Sequence, residues 1–175
     1  MKGRIILTEK TSITILFTSD IHGSILPIHY GTNEYTPVGL AAYATIVEQT
    51  RAEHENVIVL DNGDLIQGTP LITHYMKEHA HEKHPMIEIM NNINIDASVI
   101  GNHEFNYGKD VLTKAVQESN FPWLSANTLN EETKEPFFGT PYMIKHLENG
   151  IKVAIIGVTT DYIPNWESPD RKSVV

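Results

Sequence analysis

Three stretches of this chain share one form: an apolar run of strand character stops at residues that bind metal or move protons. Thr14-Ile15-Leu16-Phe17-Thr18-Ser19 runs into Asp20-Ile21-His22-Gly23, and Val57-Ile58-Val59-Leu60 runs into Asp61-Asn62-Gly63-Asp64. The third, Ala97-Ser98-Val99-Ile100, runs into Gly101-Asn102-His103-Glu104. Nearly continuous apolar runs suit strands covered on both faces. The segments between them read as helices. Leu40, Tyr43, Ala44 and Val47 follow one helical face, with Thr36-Pro37 as a cap-plus-proline start. Thr69-Pro70 repeats that start for a helix to about His79, which carries Leu71, Ile72, Tyr75 and Met76 inward. Pro85 opens a helix with Met86, Ile89, Met90 and Ile93 on its apolar side, and another spans Lys109 to Ser119. Trp123 to Ala126 is expected as a short fourth strand, and Glu148-Asn149-Gly150 as the turn of a hairpin. After Thr159 the chain reads as irregular. Strands alternating with amphipathic helices imply an α/β fold with a largely parallel sheet flanked by helices. In such sheets ligands sit beyond the carboxyl ends of the strands. Asp20, His22, Asp64, Asn102 and His103 all fall there, so the three strand ends are expected to meet in one site.

Composition narrows the chemistry. The net charge of −9 offers no electrostatic reason to bind nucleic acid or anionic lipid, and a metal could supply the local positive charge that a phosphate ligand needs. With no cysteine, thiolate ligands, disulfides and cysteine nucleophiles are excluded. No apolar run approaches membrane-spanning length, and Ile5-Ile6-Leu7 is too short for a secretion signal. As given, the chain reads as cytoplasmic, or as a cell-envelope or extracellular protein whose leader was removed. Residues 1–11 are expected to form a peripheral arm, and residues 12–175 the folded unit.

Two carboxylates, an imidazole and an amide oxygen suit hard or borderline divalent ions. Asp64 is the candidate bridge between two metals, because Gly63 permits a tight turn beside it. Asp20 and His22 would face one ion and Asn102 the other. His103 would stabilise phosphoryl oxygens or protonate a leaving oxygen, with Glu104 orienting its imidazole. Taken singly, each motif has a plainer meaning as a turn or a helix cap. Their order, each after an apolar strand, carries the argument.

These residues resemble a known family. Asp20-x-His22, Gly63-Asp64 and Gly101-Asn102-His103-Glu104 look like the first three motifs of calcineurin-like metallophosphoesterases. The flanking Asp61-Asn62-Gly63-Asp64-Leu65-Ile66-Gln67-Gly68-Thr69-Pro70 and Asn102-His103-Glu104-Phe105-Asn106-Tyr107-Gly108 resemble the 5'-nucleotidase and 2',3'-cyclic-nucleotide phosphodiesterase branch. The resemblance runs from about Ile13 to Trp166. It implies a share of a four-layer αββα fold and two divalent ions drawn from Mn, Zn, Fe, Co or Mg. It also implies hydrolysis of nucleotide phosphate esters by a metal-held hydroxide. Family members continue with further histidine ligands that this chain lacks, so it is expected to be the N-terminal portion of such a catalytic domain. The isolated chain is then expected to be weakly active or inactive, the alternative being a non-catalytic metal- or phosphate-binding remnant. Surfaces normally covered by the missing part are expected to promote self-association. His74, His79, His81 and His84 read as a solvated helix end rather than a second metal site, and Phe121, Trp123 and Phe138 as core or interface rather than a base-stacking platform.

Overall fold

The computed structural model describes residues 11–130 and 132–166. Strands β1 (Thr14–Thr18), β2 (Val57–Asp61), β3 (Ala97–Val99) and β4 (Trp123–Leu124) form one parallel sheet in sequence order. Helix α1 (Gly39–Glu53) links β1 to β2, α2 (Pro70–Glu78) and α3 (Pro85–Ile93) link β2 to β3, and α4 (Lys109–Glu118) links β3 to β4. The β5–β6 hairpin (Tyr142–His146, Lys152–Ile156) is antiparallel, as the Asn149-Gly150 turn implies. A one-turn helix, α5 (Ile163–Trp166), follows where an irregular segment was expected. The expected arm at residues 1–11 lies, except for Thr11, outside the described residues, as does the chain from residue 167 onward.

Register places Ile15 beside Ile58, Leu16 beside Val59 and Phe17 beside Leu60. Alternation along a strand then separates two faces. Val59 is fully buried in the cluster that holds Leu40, Tyr43 and Val47 of α1, Met86, Ile87 and Met90 of α3, and Leu112 of α4, and Leu16 packs against it. Burying side chains of this size stabilises the fold by about 1.5–3 kcal/mol each. Trp123, Phe121 and Phe138 join the same core. The other face differs from the two-sided burial expected of β1. Ile15 is 52% exposed and Phe17 is 70% exposed. With Leu60, Val99 and Ile156 they line an open cleft of about 290 Å³.

Two helix expectations need correction. Helix α1 starts at Gly39 rather than after Thr36, and its N-cap Val38 offers no side-chain bond. Loop carbonyls do the capping instead: the N–H groups of Leu40 and Ala41 donate to the carbonyls of Ser24 and Ile25. In α2, Thr69 caps as expected, accepting from the Ile72 N–H, but Leu71 is exposed. Burial of Ile72 sets the phase of that helix, and a neighbour in sequence points about 100° away. Among the described residues, no helix is long and apolar enough to cross a membrane.

Candidate metal centre

The loops that follow β1 and β2 stay paired beyond the strands. The N–H groups of Asp20, His22 and Gly23 donate to the carbonyls of Gly63, Asp64 and Leu65 at 3.1, 2.8 and 2.9 Å. Asp20, His22 and Asp64 hold left-handed backbones, with φ of 56°, 49° and 57°. Such angles are uncommon for residues with a Cβ and collect at functional sites. The loop after β3 closes on the other two through Gly63 and Gly101. A Cβ on Gly63, whose φ is +87°, would lie 2.6 Å from the Gly101 nitrogen. One on Gly101 would lie 2.4 Å from Asp64 Oδ1. Only hydrogen fits at either place.

One ligand atom each from His22, Asp64 and His103 lies within 4.8 Å of the others. The His22 and His103 rings meet edge to face, 5.0 Å between centroids. Asp20 approaches through His22, its Oδ1 lying 3.7 Å from Nε2, and Ser19 Oγ donates to its other oxygen. Asn102 is half-buried at the start of a 3-10 turn, His103–Phe105. The two imidazoles are oriented by acceptors that the sequence reading did not identify. His22 Nδ1 lies 3.2 Å from the Gln67 carbonyl and His103 Nδ1 2.6 Å from Asn106 Oδ1. A carbonyl-type acceptor places the proton on Nδ1 and turns Nε2 to the site. The spacing of His103 and Asn106, three apart on a tight turn, was the available signal. The donor set is oxygen plus imidazole, half-buried at His22, Asp64, Asn102 and His103 and exposed at Asp20, which lies outside the 4.8 Å cluster; it is partly pre-oriented and fits a divalent ion of the first transition row or Mg.

Glu104 has a different part from the one expected. It does not orient the His103 imidazole. It is fully buried, and its carboxylate accepts main-chain N–H groups from both neighbouring loops. Oε2 takes those of Asp64 and Gly101, each at 2.8 Å, and Oε1 those of Leu65 at 2.6 Å and Ile66 at 3.3 Å. Burial raises its pKa and the N–H donors lower it, burial being the larger effect. Asp61, the last residue of β2, was also overlooked. Its side chain accepts from Thr18 Oγ1 at 2.9 Å, Ser98 Oγ at 2.6 Å and the Gly63 N–H at 3.2 Å. Burial pushes its carboxyl up to about 7.

The histidine patch divides. His74, His79 and His81 are exposed, with His79 Nδ1 3.0 Å from Glu82 Oε1. His84 is buried, contrary to expectation: Nδ1 accepts the Met86 N–H at the start of α3, and Nε2 lies 3.1 Å from the Ile66 carbonyl. Burial pushes it down to about 4.

The chain is similar to several curated proteins. It is 31% identical to a 2',3'-cyclic-nucleotide 2'-phosphodiesterase/3'-nucleotidase of Haemophilus influenzae, over 93% of this chain and 26% of that protein. It is 34% identical to a 5'-nucleotidase of Vibrio vulnificus, over 90% of this chain and 27% of that protein. Among solved structures, the calcineurin-like phosphoesterase YfkN from Bacillus subtilis superposes with a TM-score of 0.79 at 33% identity. That match covers 93% of this chain and 52% of the YfkN chain. The chain thus spans about a quarter of the length of those two curated relatives. The calcineurin-like phosphoesterase family model matches residues 13–169. This chain is a member of the calcineurin-like phosphoesterase family.

Proposed function

We propose that the chain carries part of a divalent-metal-dependent site that hydrolyses phosphate esters of nucleotides, as a 2',3'-cyclic-nucleotide phosphodiesterase, a nucleotidase or both. The carrying observation is the convergence of His22, Asp64 and His103 within 4.8 Å at the carboxyl ends of parallel strands. The names of the relatives support the substrate class. In this reading Asp20, His22, Asp64 and Asn102 would hold the divalent ions, with Asp64 as the candidate shared ligand. When bound, such ions stabilise the charge on the phosphoryl oxygens and lower the pKa of water.

The chain's own residues have separate tasks. A bond forms between a water oxygen and phosphorus, and the ester P–O bond breaks. His103, with a proton on both ring nitrogens, gives the one on Nε2 to the leaving oxygen, keeps the one on Nδ1 against Asn106, and regains an Nε2 proton as the attacking water loses its own. Asn106 holds the ring so that Nε2 faces the reacting group. Two ions would need more ligands than these four residues supply, so the 175-residue chain alone would bind metal weakly and turn over slowly.

The test is hydrolysis of bis-p-nitrophenyl phosphate, 2',3'-cyclic AMP and AMP by the 175-residue chain with added Mn2+. Turnover that depends on Mn2+ and disappears in Asp64→Ala supports the assignment. Turnover retained in Asp64→Ala rejects it.

A further inference from the structure

Asp64 and Asn102 sit on different loops, so the site depends on how those loops are held to one another. The Glu104 side chain joins them. Oε2 accepts from Asp64 of one loop and Gly101 of the other, and Oε1 accepts from Leu65 and Ile66. The link is reciprocal, because the N–H of His103, beside Glu104, donates to Asp64 Oδ1 at 2.8 Å. Asp64 is therefore held twice: its main chain by the Glu104 side chain, and its side chain by the His103 main chain. Glu104 also lies against the position where only glycine fits, since a Cβ on Gly101 would lie 2.8 Å from Oε2. A completely buried carboxylate compensated by four main-chain donors is an expensive arrangement, and its visible product is the backbone geometry of Asp64.

We propose that Glu104 is a positioning residue, a buried clamp that fixes Asp64 against the Asn102–His103 turn so that the ligands converge before any metal arrives. The proposal rests on the assignment of Asp64 and Asn102 as ligands. It gives Glu104 no contact with metal or substrate. Glutamine in its place keeps the shape but fails chemically. Each carboxylate oxygen faces two N–H donors, and an amide –NH2 at either position sets donor against donor. Aspartate keeps the charge but is one methylene too short to span both loops.

The experiment uses the 175-residue chain and compares wild type, Glu104→Gln, Glu104→Asp and Met90→Ala. Met90 lies fully buried in the α3 side of the core and controls for lost stability alone. Two quantities are measured: Mn2+ affinity by calorimetry, and amide hydrogen exchange at Asp64, Leu65, Ile66 and Gly101 relative to the β1–β2 ladder. Glu104→Gln is expected to weaken Mn2+ binding by about 10–100-fold, the range for residues that orient ligands. Exchange should speed up at those four amides beyond any change in the ladder, while Met90→Ala keeps wild-type affinity. The inference is overturned if Glu104→Gln matches Met90→Ala in affinity and its four amides change no more than the ladder. If Glu104→Gln does not fold, Glu104→Asp is read by the same two criteria. If wild type binds no Mn2+, the ligand assignment has failed and exchange alone decides the clamp. Acceleration confined to the four amides then supports it, and uniform acceleration overturns it.

Discussion

The main-chain N–H of His103 donates to Oδ1 of Asp64 at 2.8 Å, so two residues 39 apart in sequence are joined through the side chain of one and the backbone of the other. That bond requires the loops to touch, and Gly101 is where they do. A methyl group there would sit 2.4 Å from the same Oδ1 and 2.6 Å from the Asp64 nitrogen. Gly101→Ala is therefore expected to destabilise the fold by about 1–3 kcal/mol, the usual range for overpacking, and to weaken Mn2+ binding with it. Urea unfolding and a metal titration check this. A variant within 0.5 kcal/mol of wild type with unchanged Mn2+ affinity would contradict it.

The short contact between His103 Nδ1 and Asn106 Oδ1 predicts a defined tautomer. Nitrogen-15 chemical shifts of His103 should report a proton on Nδ1 at neutral pH. Asn106→Leu removes the acceptor and should mix the tautomers, whereas Asn106→Asp restores it. His103→Ala should lower kcat by about 10²–10⁴-fold, the usual contribution of a positioned proton donor. A His103→Ala variant with wild-type kcat would remove the residue from the chemistry.

The sequence carried the parallel strands, the helices between them and the polar residues at the strand ends, because these follow from hydrophobic runs and polar punctuation. It carried much less of the support beneath the site. Glu104 looked like a partner of its neighbour His103, yet it bonds the backbone of residues about 40 positions away, and no local pattern encodes that. The Thr36 cap failed for a related reason: carbonyls of Ser24 and Ile25, supplied by the tertiary fold, close the first turn of α1. His84 sat in a run of polar residues that reads as solvent-exposed. Only the folded chain brings the Ile66 carbonyl over it. The exposed face of β1 was hidden in the same way, because alternation cannot tell which apolar face finds cover.

Asp61 makes a pH prediction. Its carboxyl is raised to about 7 by burial, so the folded state favours the protonated form. The unfolded carboxyl titrates near 3.8, and between these values the native state binds more protons. Its contribution is fully present below about pH 3.8 and is lost as pH rises through about 7. His84, lowered to about 4 from 6.5, has the opposite slope, losing stability as pH falls across that interval. The two partly cancel in wild type, and Asp61→Asn separates them. The melting temperature of Asp61→Asn relative to wild type should rise steadily from pH 4 to pH 7.5, with no further change above. A difference independent of pH would contradict the assignment.

The bare sheet face predicts association. Phe17 and Ile156 are 70% and 65% exposed beside Ile15, an arrangement that concentrates apolar surface. Light scattering of the 175-residue chain should show mass rising with concentration, and Phe17→Ser combined with Ile156→Ser should suppress the rise. A monomer at every concentration would contradict this.

The central claim is that the ends of β1, β2 and β3 form one divalent metal site, and calorimetric titration of Mn2+ into wild type and Asp64→Ala tests it most directly. The account predicts saturable binding by wild type and its loss in an Asp64→Ala chain that retains the wild-type circular dichroism spectrum. Equal binding by both chains, or none by a folded wild type, would contradict it.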